Sequence, residues 1–309
     1  MERAVGRDRG VEQTVAGGES AGLLPSRIWF LGHATVAVDL DGTRVLTDPL
    51  LRGRISALMR RGPLPLATLT HPVDAVLISH MHQDHLDLPS LRQLGPDVRL
   101  LVPRRAGAFL ARNGFRAARE LRAGDDATVG SVQIVATPAR HVGFRPPFGP
   151  HGGCLGFIVE GSVRVYFAGD TDLFPGMAAL GPIDVALLPV AGWGPTLGPG
   201  HLDPLRAARA LQMIQPRIAV PIHWGTFVPI GMHFRAWSYL AKPPLDFYEY
   251  ARALTPEVDV RVLEPGDFLD LDPLIRATPP VGPSAGGATG RVPGPATGSP
   301  NDAILETDG

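Results

Sequence analysis

Ser79-His80-Met81-His82-Gln83-Asp84-His85 packs four potential metal ligands into six residues, directly after an apolar run from Val73 to Ile78. The run reads as a strand, so the ligands sit on the loop at its C-terminal edge. Neutral imidazole and carboxylate are ligands for zinc, manganese or iron, and a cluster this dense suits two adjacent metals better than one. Three of the chain's 10 histidines fall here. A polar loop with scattered histidines is the competing reading, but no packing rule asks for His-x-His-x-Asp-His.

Three further apolar runs end on ligand-type residues. Val132–Ala136 leads into Thr137-Pro138-Ala139-Arg140-His141, Val163–Ala168 into Gly169-Asp170-Thr171-Asp172, and Ile218–Ile222 into His223-Trp224-Gly225-Thr226. One such ending is an ordinary loop histidine. Four in one domain suggest convergence, because a sheet edge gathers strand ends that are distant in sequence. Asp48, after a strand and before Pro49, is either a turn residue or the acceptor of a hydrogen bond from a ligand imidazole. His33 reads as a structural or a catalytic histidine near the same edge. Arg52, Arg54, Arg60 and Arg61 are either solvated loop charges or contacts for phosphate or anionic lipid. Phe144–Phe148 and Phe227–Trp237 are apolar loops that either wall a pocket or pack in the core, and Cys154 reads as an inert buried thiol.

The elements that must position these residues are short strands with helices between them. Strands are expected at Ile28–Leu31, Thr35–Leu40, Arg44–Thr47 and Val73–Ile78, with a hairpin at Asp41-Gly42. More follow near Thr128–Ala136, Cys154–Glu160, Val163–Ala168, Asp184–Pro189 and Ile218–Ile222. Asp87 caps a helix with Pro89 in its first turn, and Arg105–Arg112 forms another, ended by Asn113-Gly114. The clearest helix starts at Asp203 and Pro204, repeats Leu205, Ala208, Leu211 and Ile214, and stops at Pro216. Strand-rich halves with helices between them imply an α/β chain of two sheets packed face to face under outer helices. Residues 26–275 form the expected domain, between a flexible leader (1–25) and a disordered Pro/Gly-rich tail (276–309).

Composition narrows the function. At 309 residues and 44% hydrophobic, the chain can bury a sizeable core. A net charge of -1 gives no electrostatic footprint for nucleic acid. A single Cys excludes an intrachain disulfide and a thiolate-rich zinc site. No apolar run of about 18 residues spans a membrane, and Met1–Ser20 lacks the apolar stretch of a secretory signal, so the expected location is the cytoplasm.

The segments Leu31–Thr35, Leu46–Pro49, Ser79–Leu86, Thr137–His141, Phe167–Thr171 and Ile222–Phe227 resemble the metallo-β-lactamase-fold hydrolase superfamily. More narrowly, Thr-Pro-Ala-Arg-His and His-Trp-Gly-Thr-Phe resemble the branch of N-acyl-phosphatidylethanolamine-hydrolysing phospholipase D and L-ascorbate-6-phosphate lactonase. The likeness runs collinearly from Ile28 to Asp270 and implies a four-layer αββα sandwich with a two-metal site at one edge. It implies that His80, His82 and His141 hold one metal, that Asp84, His85 and His223 hold the second, and that Asp170 bridges them. Two divalent ions, zinc first with manganese or iron as alternatives, would share a hydroxide that Asp84 helps to orient. By the same likeness His201, in a His-x-x-Pro segment, contacts substrate or protonates a leaving group, while Asp48 and His33 support the ligands. The implied activity is hydrolysis of a phosphodiester, phosphoester or lactone in a small-molecule or lipid-like substrate, with peripheral membrane contact. The alternatives are a glyoxalase-II-like thioesterase and a non-catalytic metal-binding sensor or partner module. A true β-lactamase fits less well, because Asp84-His85 stands in the second-metal positions and Cys154 lies outside the ligand segments.

Overall fold

Strand polarity is what brings the candidate residues together. A computed structural model describes residues 24–277 apart from 70, 147–148, 193–196 and 232–236. Residues 1–23 of the leader, 278–309 of the tail, Phe148 and the middle of Phe227–Trp237 therefore lie outside the described residues.

The first half of the chain supplies β1 (Arg27–Gly32), β2 (Thr35–Leu40), β3 (Thr43–Thr47), β4 (Arg54–Ile55), β5 (Leu58–Arg60) and β6 (Ala75–Leu77). These are followed by α1 (Leu88–Leu94), β7 (Leu100–Pro103), α2 (Ala106–Arg112) and β8 (Ala118–Leu121). The second half supplies β9 (Asp126–Val129), β10 (Val132–Pro138), β11 (Leu155–Glu160), β12 (Arg164–Phe167), β13 (Val185–Pro189), α3 (Pro204–Ile214) and β14 (Ile218–Ile222). It closes with β15 (Phe227–Pro229), α4 (Trp237–Leu254), β16 (Asp259–Val260), β17 (Phe268–Asp270) and α5 (Asp272–Ala277).

Two seven-stranded mixed sheets result, ordered β17-β1-β2-β3-β6-β7-β8 and β16-β14-β13-β12-β11-β10-β9, with β15-β5-β4 as a small third sheet. Alternation along β2 shows the layering: Val36, Val38 and Leu40 join the large core shared with Ile134, Phe157, Val165 and Leu187 of the opposite sheet. Ala37 faces the other way, into a second cluster with Leu91 of α1 and Ala106 and Leu110 of α2. Ala207, Ala208 and Leu211 of α3 and Phe247 and Ala251 of α4 extend the large core on the far side of the second sheet. The architecture is thus the expected α/β sandwich with helices outside. Each fully buried Val, Leu or Phe contributes roughly 1.5–3 kcal/mol, so the two-sided burial of these strands anchors their ends firmly.

β1, β3 and β6 run one way in the first sheet; β10, β12, β13 and β14 share one direction in the second. Their C-terminal ends therefore share an edge. Asp87 and Asp203 cap α1 and α3 as expected, accepting from Ser90 N and Arg206 N. The run near Thr128–Ala136 is a hairpin and not one strand: Gly130, at φ +53, turns the chain where a Cβ would lie 2.3 Å from Thr43 Oγ1. The basic segment after Pro49 contains β4 and β5. Within it Arg60 is buried, donating to the Leu31 and Leu50 carbonyls at 3.0 Å each, while Arg52 pairs with Asp87 at 2.6 Å. These two arginines are fold-holding groups and not solvated charges. No helix among the described residues is long and apolar enough to cross a membrane.

Candidate metal centre

The site begins where β6 ends. Ser79 through His85 form a tight loop closed by His85 N and Leu86 N donating to the His82 carbonyl at 3.2 and 2.9 Å. Asp87 then starts α1, so the loop is fixed at both ends. Asp48, just past β3 and at φ +34, donates its backbone N–H to the Leu77 carbonyl. That places its carboxylate beside the loop. Gly169, at φ +59, lets the end of β12 approach so closely that a Cβ there would stand 2.6 Å from Ser79 Cβ, which delivers Asp170 to the cluster. His33 and His223, at φ +58 and +62, face each other across the two sheets, with His223 N donating to the His33 carbonyl at 2.8 Å. Thr226 Oγ1 accepts from His33 N at 2.6 Å.

Two groups of donor atoms, each within 4.8 Å of one another, form here: His80, His82, His141 and Asp170, and His33, Asp84, His85 and His223. Asp170 reaches into both, with Oδ2 3.9 Å from His141 Nε2 and 3.4 Å from His85 Nε2, and Oδ1 3.4 Å from His223 Nε2. The structure thus brings together all seven residues expected as ligands. It also adds His33, whose Nε2 lies 2.9 Å from Asp84 Oδ2. His201 sits at the more exposed side, its Nε2 3.7 Å from Asp170 Oδ2 and its ring 4.7 Å from that of His141.

Outer partners fix which nitrogen each imidazole presents. His141 Nδ1 donates to the Gly200 carbonyl at 2.8 Å and His223 Nδ1 to the Ala191 carbonyl at 2.9 Å. A carbonyl only accepts, so each Nε2 carries a lone pair in the neutral ring. His85 Nδ1 donates to Asp48 Oδ2 at 2.7 Å, as expected for Asp48. Ser79 adds what the sequence reading missed: its N and Oγ donate to Asp48 at 2.7 and 2.5 Å, and its Oγ accepts from His80 Nδ1 at 2.9 Å. Asp48 and Ser79 thereby orient both His80 and His85. The signal for Ser79 was only its place at the head of the cluster; the Ala191 and Gly200 carbonyls have no side-chain signature at all.

The donor set fits a cation. His223 Nε2 and His85 Nε2 face each other at 3.3 Å, and His141 Nε2 faces His82 Nδ1 at 3.2 Å. With both Nδ1 atoms donating elsewhere, the Nε2 atoms of His223 and His85 present lone pairs that repel at this distance unless positive charge lies between them. His80 Nε2 and Asp170 Oδ1 are buried without a hydrogen-bond partner, a state that costs about 1–3 kcal/mol for each group unless something satisfies it. Burial lowers His80 and His82, takes His141 down to about 4 and His33 to about 3, so these rings are neutral; His80, His82 and His141 are ready to ligate, while His33 keeps its Nε2 proton on Asp84. Burial acts to raise Asp84 and Asp170, but the surrounding histidines hold both carboxyls well below the usual range. Burial acts to lower His85 and His223, yet the carboxylates around them raise both. The net demand of the site is for positive charge at the Nε2 atoms of those two rings. Burial likewise pushes the Cys154 thiol up to about 12, which makes it inert.

Comparison with known proteins agrees. A family model described as a beta-lactamase superfamily domain matches residues 43–224. A UPF0173 metal-dependent hydrolase from Caldivirga maquilingensis is 31% identical over 78% of this chain and 96% of its own length. Its counterpart from Methanopyrus kandleri is 32% identical over 78% and 98%. Among solved structures, Igni18, a metallo hydrolase from Ignicoccus hospitalis, superposes with a TM-score of 0.62 at 24% identity, covering 80% of this chain and 98% of that one; at that identity it supports the fold alone.

Proposed function

The chain belongs to the metal-dependent hydrolases of the metallo-β-lactamase fold, and from that premise we propose that it uses two divalent ions to hydrolyse a phosphodiester, phosphoester or lactone. The observation that carries this reading is the reach of Asp170 into both donor groups. His80, His82 and His141 would hold one ion and Asp84, His85 and His223 the other, with Asp170 shared. Zinc suits this imidazole and carboxylate set, with manganese or iron as alternatives. Once bound, such ions polarise the reacting oxygen and bring the pKa of water from about 15.7 towards about 7.

The chain's own residues supply orientation and proton handling. The Nδ1 anchors of His80, His85, His141 and His223 keep each Nε2 aimed inward. His33 donates through Nε2 to Asp84 and holds that carboxylate where it orients the attacking water. His201, on the open side, donates from Nδ1 to the Gly198 carbonyl at 3.3 Å, so its Nε2 carries a proton for the departing oxygen only when the ring is the imidazolium, with Asp170 Oδ2 3.7 Å away. The proposed setting is the cytoplasm, with a small-molecule or lipid-like substrate; co-sedimentation with anionic vesicles tests peripheral membrane contact.

The test is to measure metal content and to assay a chromogenic phosphodiester, a lactone and a thioester side by side. About two ions per chain and turnover of the phosphodiester or lactone are expected, with both lost in His82→Ala and Asp170→Ala. Turnover of the thioester alone would favour the glyoxalase-II-like reading. Two bound ions with no turnover would favour a sensor or partner module. Metal-free protein would overturn the proposal.

A further inference from the structure

Beside the metal centre lies a cleft of about 470 Å³ whose far wall comes from the small third sheet. Ile55, Ser56 and Leu58 of the β4–β5 hairpin line that wall, and His82, Gln83, Asp84 and Pro146 line the side nearest the metal centre. The hairpin is a firm element. Ile55 and Leu58 pack with Leu50 and Phe227, β15 pairs with β5 from Phe227 to Pro229, and the Arg60 guanidinium lies 5.1 Å from the Phe227 ring centre. Ser56 turns the tip at φ +49 and is exposed. Across the cleft, Gln83 Nε2 donates to the Pro146 carbonyl at 2.9 Å and so pins that loop.

The charge of this lining is informative. Its only carboxylate, Asp84, belongs to the metal centre, and no Lys or Arg lines the cleft among the described residues. Arg145, next in sequence to Pro146, turns away, donating to the Met81 and Leu86 carbonyls and lying over the Phe109 ring. An anionic arm of a substrate extending from the reacting bond would meet no Lys or Arg among the described residues here. An aliphatic or aromatic arm would bury its surface against Ile55, Leu58 and Pro146, and a cleft of this volume is in the range of about 300–1,000 Å³ that holds small ligands.

We infer that this cleft binds an uncharged, apolar arm of the substrate, and that Leu58 sets specificity for it. The inference rests on the hydrolase reading and deepens it: the reacting group sits at the metals, and what extends towards the hairpin is an alkyl, acyl or aryl group and not a second phosphate or carboxylate.

Binding of metal-chelating probes tests this without requiring turnover. Zinc-loaded protein is titrated by calorimetry with acetohydroxamate, octanohydroxamate and the monohydroxamate of succinate. Each methylene buried in the cleft strengthens binding about fourfold, so the octanoyl probe is expected to bind more than about tenfold tighter than the acetyl probe, and the succinyl probe no tighter than the acetyl one. In Leu58→Lys the octanoyl advantage should shrink to less than about threefold while the succinyl probe gains. Ser56→Lys, at an exposed tip position, should produce the same gain if Leu58→Lys does not fold. Equal affinity for the acetyl and octanoyl probes, or a succinyl probe that binds tightest to the unmodified protein, would overturn the inference while leaving the hydrolase reading intact. Failure to take up zinc would overturn the hydrolase reading, and this inference with it.

Discussion

Asp48→Asn should disarm the metal centre while leaving the sheets in place. Asp48 takes three donors on two oxygens: Ser79 N on Oδ1, and Ser79 Oγ and His85 Nδ1 on Oδ2. Asparagine offers one oxygen and one NH2. If its oxygen keeps the Ser79 N–H, its amide N–H faces His85 Nδ1, which must give up its proton. The neutral ring then carries hydrogen on Nε2, where a lone pair is required. Ser79 Oγ, no longer bound to an acceptor, becomes free to donate to His80 Nδ1 and to turn that ring as well. Losing a hydrogen bond to a charged group costs about 1.5–3 kcal/mol, which is roughly 10- to 150-fold in affinity. Outer partners of metal-binding imidazoles are ordinarily worth about 10- to 100-fold, so the two figures agree. The assay is titration of chelator-stripped protein with zinc against a chromophoric competitor, with far-UV circular dichroism to confirm folding. Ser79→Ala should weaken binding less, because the bond from His85 to Asp48 survives. Zinc affinity unchanged within about threefold in Asp48→Asn would show that the hydrogen bonds around Asp48 do not set the tautomers.

Other perturbations follow from the same geometry. His201→Gln should keep the metal content and lower kcat by about 10²–10⁴-fold for substrates with a poor leaving group, with much less effect on a nitrophenolate leaving group; equal losses for both would exclude proton donation from this residue. In metal-free protein, His33 has its folded pKa lowered to about 3, below the unfolded value, so the unfolded chain binds the extra proton as pH falls. Its contribution is full above pH about 6.5 and is lost at up to about 1.4 kcal/mol per pH unit towards pH about 3. Urea unfolding across that window should show a shallower slope in His33→Gln. Arg60→Ala leaves the Leu31 and Leu50 carbonyls without their donor and should lower stability by about 2–5 kcal/mol in denaturant titration; a change below about 0.5 kcal/mol would refute its structural role.

How much of this could be read from the sequence depends on where each signal resides. The strands that carry ligands end apolar runs with His or Asp, and β6, β12 and β14 stand close to where those runs predict. α3 was legible from its cap, its apolar spacing and Pro216. β4, β5 and β15 were not, because runs of two or three residues leave no alternation to detect, and mixed arginines hid their buried face. α4 escaped because Pro243 and Pro244 lie inside it. At the site, metal-ligand chemistry restricts residue types, so His80, His82, Asp84, His85, His141, Asp170 and His223 stood out. The groups behind them, Ser79, Thr226 and two backbone carbonyls, obey only hydrogen-bond geometry and became visible when the chain was folded.

The bond between His223 N and the His33 carbonyl also orders events in time. Together with the grip of Thr226 on His33 N, across 193 residues, it closes the edge only after β14 of the second sheet has docked. A nascent chain that has emerged as far as Asp170 displays six of the seven expected ligands but lacks the element that locks His33 and Asp84 in register. Metal capture at full affinity would therefore come late, and a bound ion would stabilise the finished sandwich over any partly folded form. Occupancy of the site by a metal would thus also report on the completion of folding.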